Sequence, residues 1–258
     1  CLRNRLASEI GALFAGIANS THSISTKATT VLQVGNTFDA AVVNRVVEGL
    51  AQSHQKLLLD LEALTDEMVR LPSLLEGWTV GHVLAHITQQ GDSIRRIFLA
   101  AEQGQIIDQY EGGMSARVAA IEGAAQCSAK EHVADVRRSI YDLEGAIASA
   151  RQGWFGTARM VSGAIASVAD LPLRRWREVE VHQGDLGLSE LGCDGPESWS
   201  LNYVRHDLPG MTMQFKAHGP MGFNDLPSQV RTLGPAQRLG WLLGRVSIEG
   251  LPPAGLMG

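Results

Sequence analysis

The sequence predicts a mainly α-helical protein: a four-helix bundle followed by a small C-terminal α+β domain. Apolar residues recur every three or four positions in four stretches between residues 37 and 190. Helix-capping residues precede these stretches, and Pro and Gly become more frequent after residue 192. We therefore predict an N-terminal extension without fixed structure at 1–36, the bundle at 37–192 and the small domain at 193–258.

Composition places the chain among globular proteins and argues against several partners. The 258 residues are 45% hydrophobic and carry a formal net charge of −5, with no basic run of the kind that binds nucleic acid. No run of about 18 apolar residues occurs, so no membrane span is expected. Cys1, Cys127 and Cys193 are widely and irregularly spaced, which argues against a disulfide framework and favours the reducing cytoplasm.

The first two bundle helices follow from apolar spacing and capping residues. Apolar residues at helical intervals predict a helix within 37–69, with Thr37 or Asp39 as its N-terminal cap. Thr79 is placed to cap the second helix, whose apolar residues run from 80 to 99.

The third bundle helix is preceded by a loop and a short helix at 115–125. Ser128 and Glu131 have the spacing of a capping box, in which each side chain bonds the other residue's backbone, and apolar residues continue to Ile147. The segment 161–168 is predicted to be a loop or a short extended stretch.

The fourth bundle helix begins at Asp170 and Pro172, since Asp suits the cap and Pro the first turn. In the small domain, residues 211–217 alternate in the manner of a strand, and 246–248 are read as a further strand. Between them, 235–243 has the spacing of an amphipathic helix.

Two stretches supply candidate metal ligands. Glu178 and His182 lie four residues apart, so they project from one face of the fourth helix and can bind one metal ion. Such a pair is by itself more often an ordinary surface ion pair. The second helix adds His82 and His86, of which His86 lies on the apolar face, where a histidine is usually a hydrogen-bonded core residue. Together the stretches offer three ligands and an open position, as in catalytic zinc sites.

Four segments carry a resemblance to a known family. They are SLLEGWT at 73–79, HVLAH at 82–86, RWREVEVH at 175–182 and DLG at 185–187. With these residues the chain resembles the mycothiol-dependent maleylpyruvate isomerase family, within the DinB-like superfamily of metal-binding helical bundles. The resemblance runs from about residue 43 to the end, is weaker in the small domain and excludes 1–36.

The resemblance implies a zinc ion held by His86, Glu178 and His182, and mycothiol as a thiol cosubstrate. It also implies Arg245 as a catalytic residue of the small domain, which would anchor a carboxylate of the dianionic substrate. The implied reaction adds a thiolate to the cis double bond of maleylpyruvate. Rotation about the resulting single bond and elimination of the thiol then give fumarylpyruvate.

Several alternatives remain open from the sequence. The same thiol activation would serve a mycothiol S-transferase acting on another electrophile, and a metal-binding bundle without catalysis keeps the same ligands. A bundle without metal would bury the three side chains in a hydrogen-bond network. Nickel, cobalt and iron also suit these ligands. Asp185 either orients His182 or caps the helix end, of which its spacing favours the cap, and His82 either supports the site or is structural.

Overall fold

The computed structural model of the protein describes residues 39–218 and 224–256. The prediction for 1–36 and the proposed cap at Thr37 lie outside these residues. The described parts contain nine α-helices and one two-stranded sheet, joined by short 3₁₀ turns. In chain order these elements are α1 (Ala40–Asp60), α2 (Asp66–Arg70), α3 (Val80–Glu102), α4 (Gly113–Ala124), α5 (Ala129–Ser149), β1 (Thr157–Arg159), β2 (Ile165–Ser167), α6 (Leu171–Asp185), α7 (Leu201–Ala217), α8 (Ser228–Arg231) and α9 (Pro235–Leu242).

Helices α1, α3, α5 and α6 form the four-helix bundle that the sequence predicts. Helix α3 packs against α5, and α1 packs against α6. The Asp39 side chain accepts from the N–H of Ala41 at 2.9 Å and so caps α1. The capping box of Ser128 and Glu131 at the start of α5 is confirmed. Apolar side chains from all four helices form one core, with fully buried members that include Leu57, Ile87, Ile94, Ile140, Leu143 and Val179.

Helix α4 and the sheet lie outside the bundle proper. Ile121 is the one residue of α4 that is buried, so this helix is held lightly against α3. Strands β1 and β2 pair antiparallel, with Ala158 opposite Ala166. The extended segment predicted within 161–168 is thus confirmed as β2.

The strand predicted at 211–217 is wrong, because these residues form the last two turns of α7. Met211 and Phe215 are buried and four residues apart, as a helix requires, whereas Met213 between them is 73% exposed. Apolar residues at 211, 213 and 215 therefore fit the two-residue alternation of a strand, and 211 and 215 also fit the spacing of a helix. Only packing decides which of the two structures forms. The segment 246–248 lies outside the described strands as well. The described C-terminal part is helical rather than α+β.

Partly buried polar contacts attach α7 to α6. Arg177 donates two hydrogen bonds to the Asp207 carboxylate, at 2.8 and 2.7 Å, and Tyr203 donates a third at 2.9 Å. Glu180 accepts from the backbone N–H of Ser200, the N-cap of α7, at 2.7 Å. The division into domains at residue 192 stays a prediction. Among the residues described, none of the helices combines the length and apolar character needed to cross a membrane.

Candidate metal centre

His86, Glu178 and His182 meet where α3 and α6 face each other. Nε2 of His86 lies 3.0 Å from Oε2 of Glu178, and Nε2 of His182 lies 3.3 Å from the same oxygen. One donor atom from each residue falls within 4.8 Å of the others. We call these three residues the ligand cluster. Helical periodicity brings the α6 pair to one face, and bundle packing places His86 opposite it.

The geometry of the ligand cluster fits a metal ion. Ligand atoms bonded at about 2.1 Å in a tetrahedral site lie about 3.4 Å apart, close to the observed 3.0 and 3.3 Å. The imidazole rings of His86 and His182 stand nearly perpendicular, with centroids 4.5 Å apart. Two imidazoles and one carboxylate leave a coordination position open in zinc enzymes of this type.

Asp185 supports His182 from the side away from Glu178. Its Oδ2 lies 2.8 Å from Nδ1 of His182, so the two ring nitrogens face two different carboxylates. This contact favours the alternative that Asp185 orients His182 over the helix-cap interpretation that its spacing favoured. A carboxylate on the outer nitrogen fixes the ring orientation of a metal-binding histidine.

Arg245 lies behind Asp185. Its Nε and Nη2 donate to the two carboxylate oxygens of Asp185, at 2.7 and 2.9 Å, and its Nη1 donates to the carbonyl of Leu243 at 3.1 Å. The resemblance implies that the Arg245 guanidinium holds a substrate carboxylate. In this structure the guanidinium is bound to Asp185 instead. Arg245 is connected to the ligand cluster through Asp185 and His182.

A cleft opens beside the Asp185–Arg245 pair. Its walls come from the segment 74–76, which belongs to the SLLEGWT stretch, and from Gly195, Pro196, Trp199 and Gly244. The cleft thus joins the bundle to the C-terminal helices at the residue that supports His182.

His82 lies at the start of α3, where its side chain contacts Thr79 and Glu122. Its Nδ1 accepts from the backbone N–H of Thr79 at 3.2 Å, which completes the cap of α3, and its Nε2 lies 3.2 Å from the carboxylate of Glu122. The ring is only 7% exposed. Of the two histidines of the HVLAH stretch, only His86 joins the ligand cluster.

Arg117 contacts the ligand cluster and is not predicted by the sequence. Its Nη2 lies 3.0 Å from Nδ1 of His86, and its guanidinium carbon lies 5.4 Å from the centre of the Tyr110 ring. Arg117 belongs to α4, and no spacing relation links it to the α3 or α6 motifs. Only the path of the loop before α4 brings it to the site.

The protonation states of the ligand cluster differ from residue to residue. Burial lowers the pKa of His86 to about 4, although Glu178 opposes this effect. Burial acts in the same direction on His182, but its contacts with Asp185 and Glu178 prevail and raise its pKa to about 9. The pKa of Glu178 stays well below its usual value despite burial, because both histidines bond its charged form. The protonated His182 therefore supplies the positive charge that Glu178 requires.

A second His–Glu pair, with a buried histidine, lies elsewhere in the bundle. Nδ1 of His54 lies 2.9 Å from the carboxylate of Glu144, and Arg175 donates to Nε2 of His54 at 3.3 Å. Arg175 also donates to the carbonyl of Ile87 at 2.7 Å and to Oε1 of Gln90 at 2.8 Å. His54 and Arg175 are fully buried. We call His54, Glu144, Arg175 and Gln90 the arginine cluster.

Comparisons with known proteins bear on the fold. The family profile described as mycothiol maleylpyruvate isomerase N-terminal domain matches residues 50–187, just over half of the chain. A crystal structure of the mycothiol-dependent maleylpyruvate isomerase aligns with a TM-score of 0.67 at 17% identity, over 79% of this chain and 90% of that one. The structure of a mutant of that isomerase aligns with a TM-score of 0.66 at 16% identity and the same coverage. No curated protein sequence matches this chain.

Proposed function

Because this chain belongs to the mycothiol maleylpyruvate isomerase N-terminal domain family, we propose that it is a metal-dependent enzyme that isomerises maleylpyruvate to fumarylpyruvate with mycothiol as thiol cosubstrate. The observation that carries the proposal is the convergence of His86, Glu178 and His182 on one point. Bound zinc would supply a positive charge that favours a thiolate over a thiol at neutral pH.

Each residue of the site has a distinct task in this proposal. His86, Glu178 and His182 would hold the metal. Asp185 keeps the His182 ring turned toward the centre through the 2.8 Å contact at Nδ1, and Arg245 holds Asp185 in place. Arg245 thus acts as a positioning residue, in place of the substrate anchor that the resemblance implies.

The thiol must come from outside the protein in this proposal. Cys127 and Cys193 are both free thiols in the described residues. Cys193 is fully buried, and burial raises its pKa to about 11, so it is a poor nucleophile at neutral pH. A reducing compartment keeps both the cosubstrate and these cysteines as thiols, and we propose the cytoplasm as the location.

Metal analysis tests the site first. We expect about one zinc per chain in the wild type and almost none in His86→Ala or His182→Ala, because each variant loses one of three ligands. His218→Ala, which changes the exposed histidine directly after α7, should keep its zinc. Wild-type protein that takes up no metal even when zinc is offered would contradict the proposal.

The reaction is tested with the zinc-loaded wild type. Maleylpyruvate and mycothiol together should give the absorbance change of fumarylpyruvate formation, and omission of either protein or thiol should abolish the catalysed rate. If the loaded protein binds zinc but leaves maleylpyruvate unchanged, isomerisation is wrong. Thiol transfer to another electrophile then becomes the function to assay.

A further inference from the structure

Arg117 is a cation at the ligand cluster that the proposed function leaves without a task. Its Nη2 contacts Nδ1 of His86 at 3.0 Å, and its Nη1 reaches the sulfur of Met114 at 3.8 Å. Within residues 39–218 and 224–256, Arg117 forms no ion pair with a carboxylate. Arg245, in contrast, already donates two hydrogen bonds from its guanidinium to the Asp185 carboxylate. The guanidinium available to an anionic ligand at the cluster is therefore that of Arg117.

The contact between Arg117 and His86 cannot survive metal binding through Nε2 of His86. A guanidinium only donates hydrogen bonds, so Nδ1 must accept in the present arrangement. A neutral imidazole that offers Nε2 as a ligand carries its single proton on Nδ1. Two donors would then face each other across 3.0 Å, so Arg117 must turn away and find another acceptor.

The surroundings of Arg117 permit this movement. Helix α4 buries only Ile121, and it begins at Gly112 and Gly113, both with positive φ (75° and 69°). Tyr110 holds the guanidinium through its ring, whose centre lies 5.4 Å from the guanidinium carbon, and through its hydroxyl, which is a hydrogen-bond partner of Arg117. Met114 and Tyr110 are uncharged partners of Arg117, so a carboxylate near the metal position can replace them.

We propose that Arg117 binds a carboxylate of the anionic electrophile beside the metal and so selects anionic over neutral substrates. This inference rests on the proposed function, because it places the electrophile at the ligand cluster. Arg forks match the geometry of a carboxylate with two parallel hydrogen bonds. When a metal binds at the ligand cluster, Arg117 leaves His86 and can then bind the substrate carboxylate.

The test measures binding of maleate, a non-isomerising dicarboxylate, to zinc-loaded protein by titration calorimetry. We expect Arg117→Gln to weaken maleate binding about 30-fold, which corresponds to the loss of a charge-assisted pair. Arg117→Lys keeps the positive charge but loses the two parallel guanidinium donors, so its maleate affinity should lie between those of Arg117→Gln and the wild type. Arg137→Gln makes the same charge change at an exposed position on α5 and should bind maleate as the wild type does.

Three results would overturn this role. They are unchanged maleate affinity in Arg117→Gln, equal weakening in Arg137→Gln, and loss of zinc from Arg117→Gln, since Arg117 is not expected to support the metal.

A second readout separates this role from a structural one. In Arg117→Gln the KM for maleylpyruvate should rise about 30-fold, whereas kinetics with an uncharged electrophile such as 1-chloro-2,4-dinitrobenzene should not change. An equal loss with both electrophiles would contradict charge selection. If the wild type binds maleate but does not turn over maleylpyruvate, the proposed reaction fails while the role of Arg117 stands.

Discussion

The bundle contains two His–Glu groups with buried histidines, and similar side chains serve different purposes in them. In the arginine cluster, Arg175 supplies a permanent positive charge, and His54 and Glu144 bond each other. In the ligand cluster, the carboxylate of Glu178 faces two imidazoles, and its positive charge comes from a proton on His182 that a metal can replace. The two groups differ in what faces the carboxylate: Glu144 faces one imidazole, whereas Glu178 faces two imidazoles whose ligand atoms converge with its own on one point.

The sharpest test of this comparison removes the fixed cation. Arg175→Met should destabilise the protein by about 3–5 kcal/mol, because it leaves buried acceptors at His54, Ile87 and Gln90 without a donor. Urea unfolding of zinc-free protein measures this change. Arg174→Met changes the exposed neighbouring arginine and is the matched control. Its free energy of unfolding should stay within about 0.5 kcal/mol of the wild-type value. Similar stabilities for the two variants would mean that the arginine cluster does not hold the bundle together.

The second prediction concerns pH. Burial lowers the pKa of His54 to about 4 from 6.5, so between these values the unfolded chain binds a proton that the folded chain does not. Stability conferred by neutral His54 is therefore lost as pH falls, by about 3 kcal/mol between pH 7 and pH 4. In zinc-free protein, wild type should lose about that much more stability over this range than His54→Gln. If the free energy of unfolding changes equally with pH in the two proteins, protonation of His54 does not destabilise the fold.

His182 should respond in the opposite direction, which sharpens the contrast. Its pKa is raised to about 9, so the stability it gives to the metal-free protein is complete below pH 6.5 and is lost as pH rises through 9. The exposed His218, replaced by Gln, serves as the histidine control for both pH ranges.

The smallest expected effect tests how firmly the ligand cluster is supported. Asp185→Asn should lower zinc affinity about 10- to 100-fold, because an amide holds the outer nitrogen of His182 less well than a carboxylate. A competition titration against a zinc chelator measures the change. Asp194→Asn alters an exposed aspartate bonded to Ser189 and should leave the affinity unchanged. Equal affinities in all three proteins would leave Asp185 without a role at the centre.

The ligand cluster could be predicted because it depends on local periodicity. Glu178 and His182 share a face by the geometry of any helix, and His86 follows from the same periodicity in α3 together with the family resemblance. The bundle helices follow from apolar spacing and from caps such as Ser128. In these cases the information lies within a few residues of the feature.

The remaining features depend on residues far apart in the chain. Asp185 contacts His182, and Arg245, which lies 60 residues later in the chain, donates hydrogen bonds to both carboxylate oxygens of Asp185. Arg117 reaches His86 only because the connection between α3 and α4 lays α4 across the site. The Met211 segment satisfies both a strand and a helix pattern until its packing partners are known. Spacing along the sequence cannot supply these facts.

Helix α6 has binding partners around most of its circumference. Within two turns, Arg175 points into the arginine cluster, Arg177 binds α7, Glu178 joins the ligand cluster and Glu180 holds the start of α7. One inserted residue would rotate everything after it by about 100°, and no single side-chain change could restore all these partners at once. Insertions and deletions should therefore accumulate in the connections on either side of α6 during evolution, while the length of α6 itself stays constant.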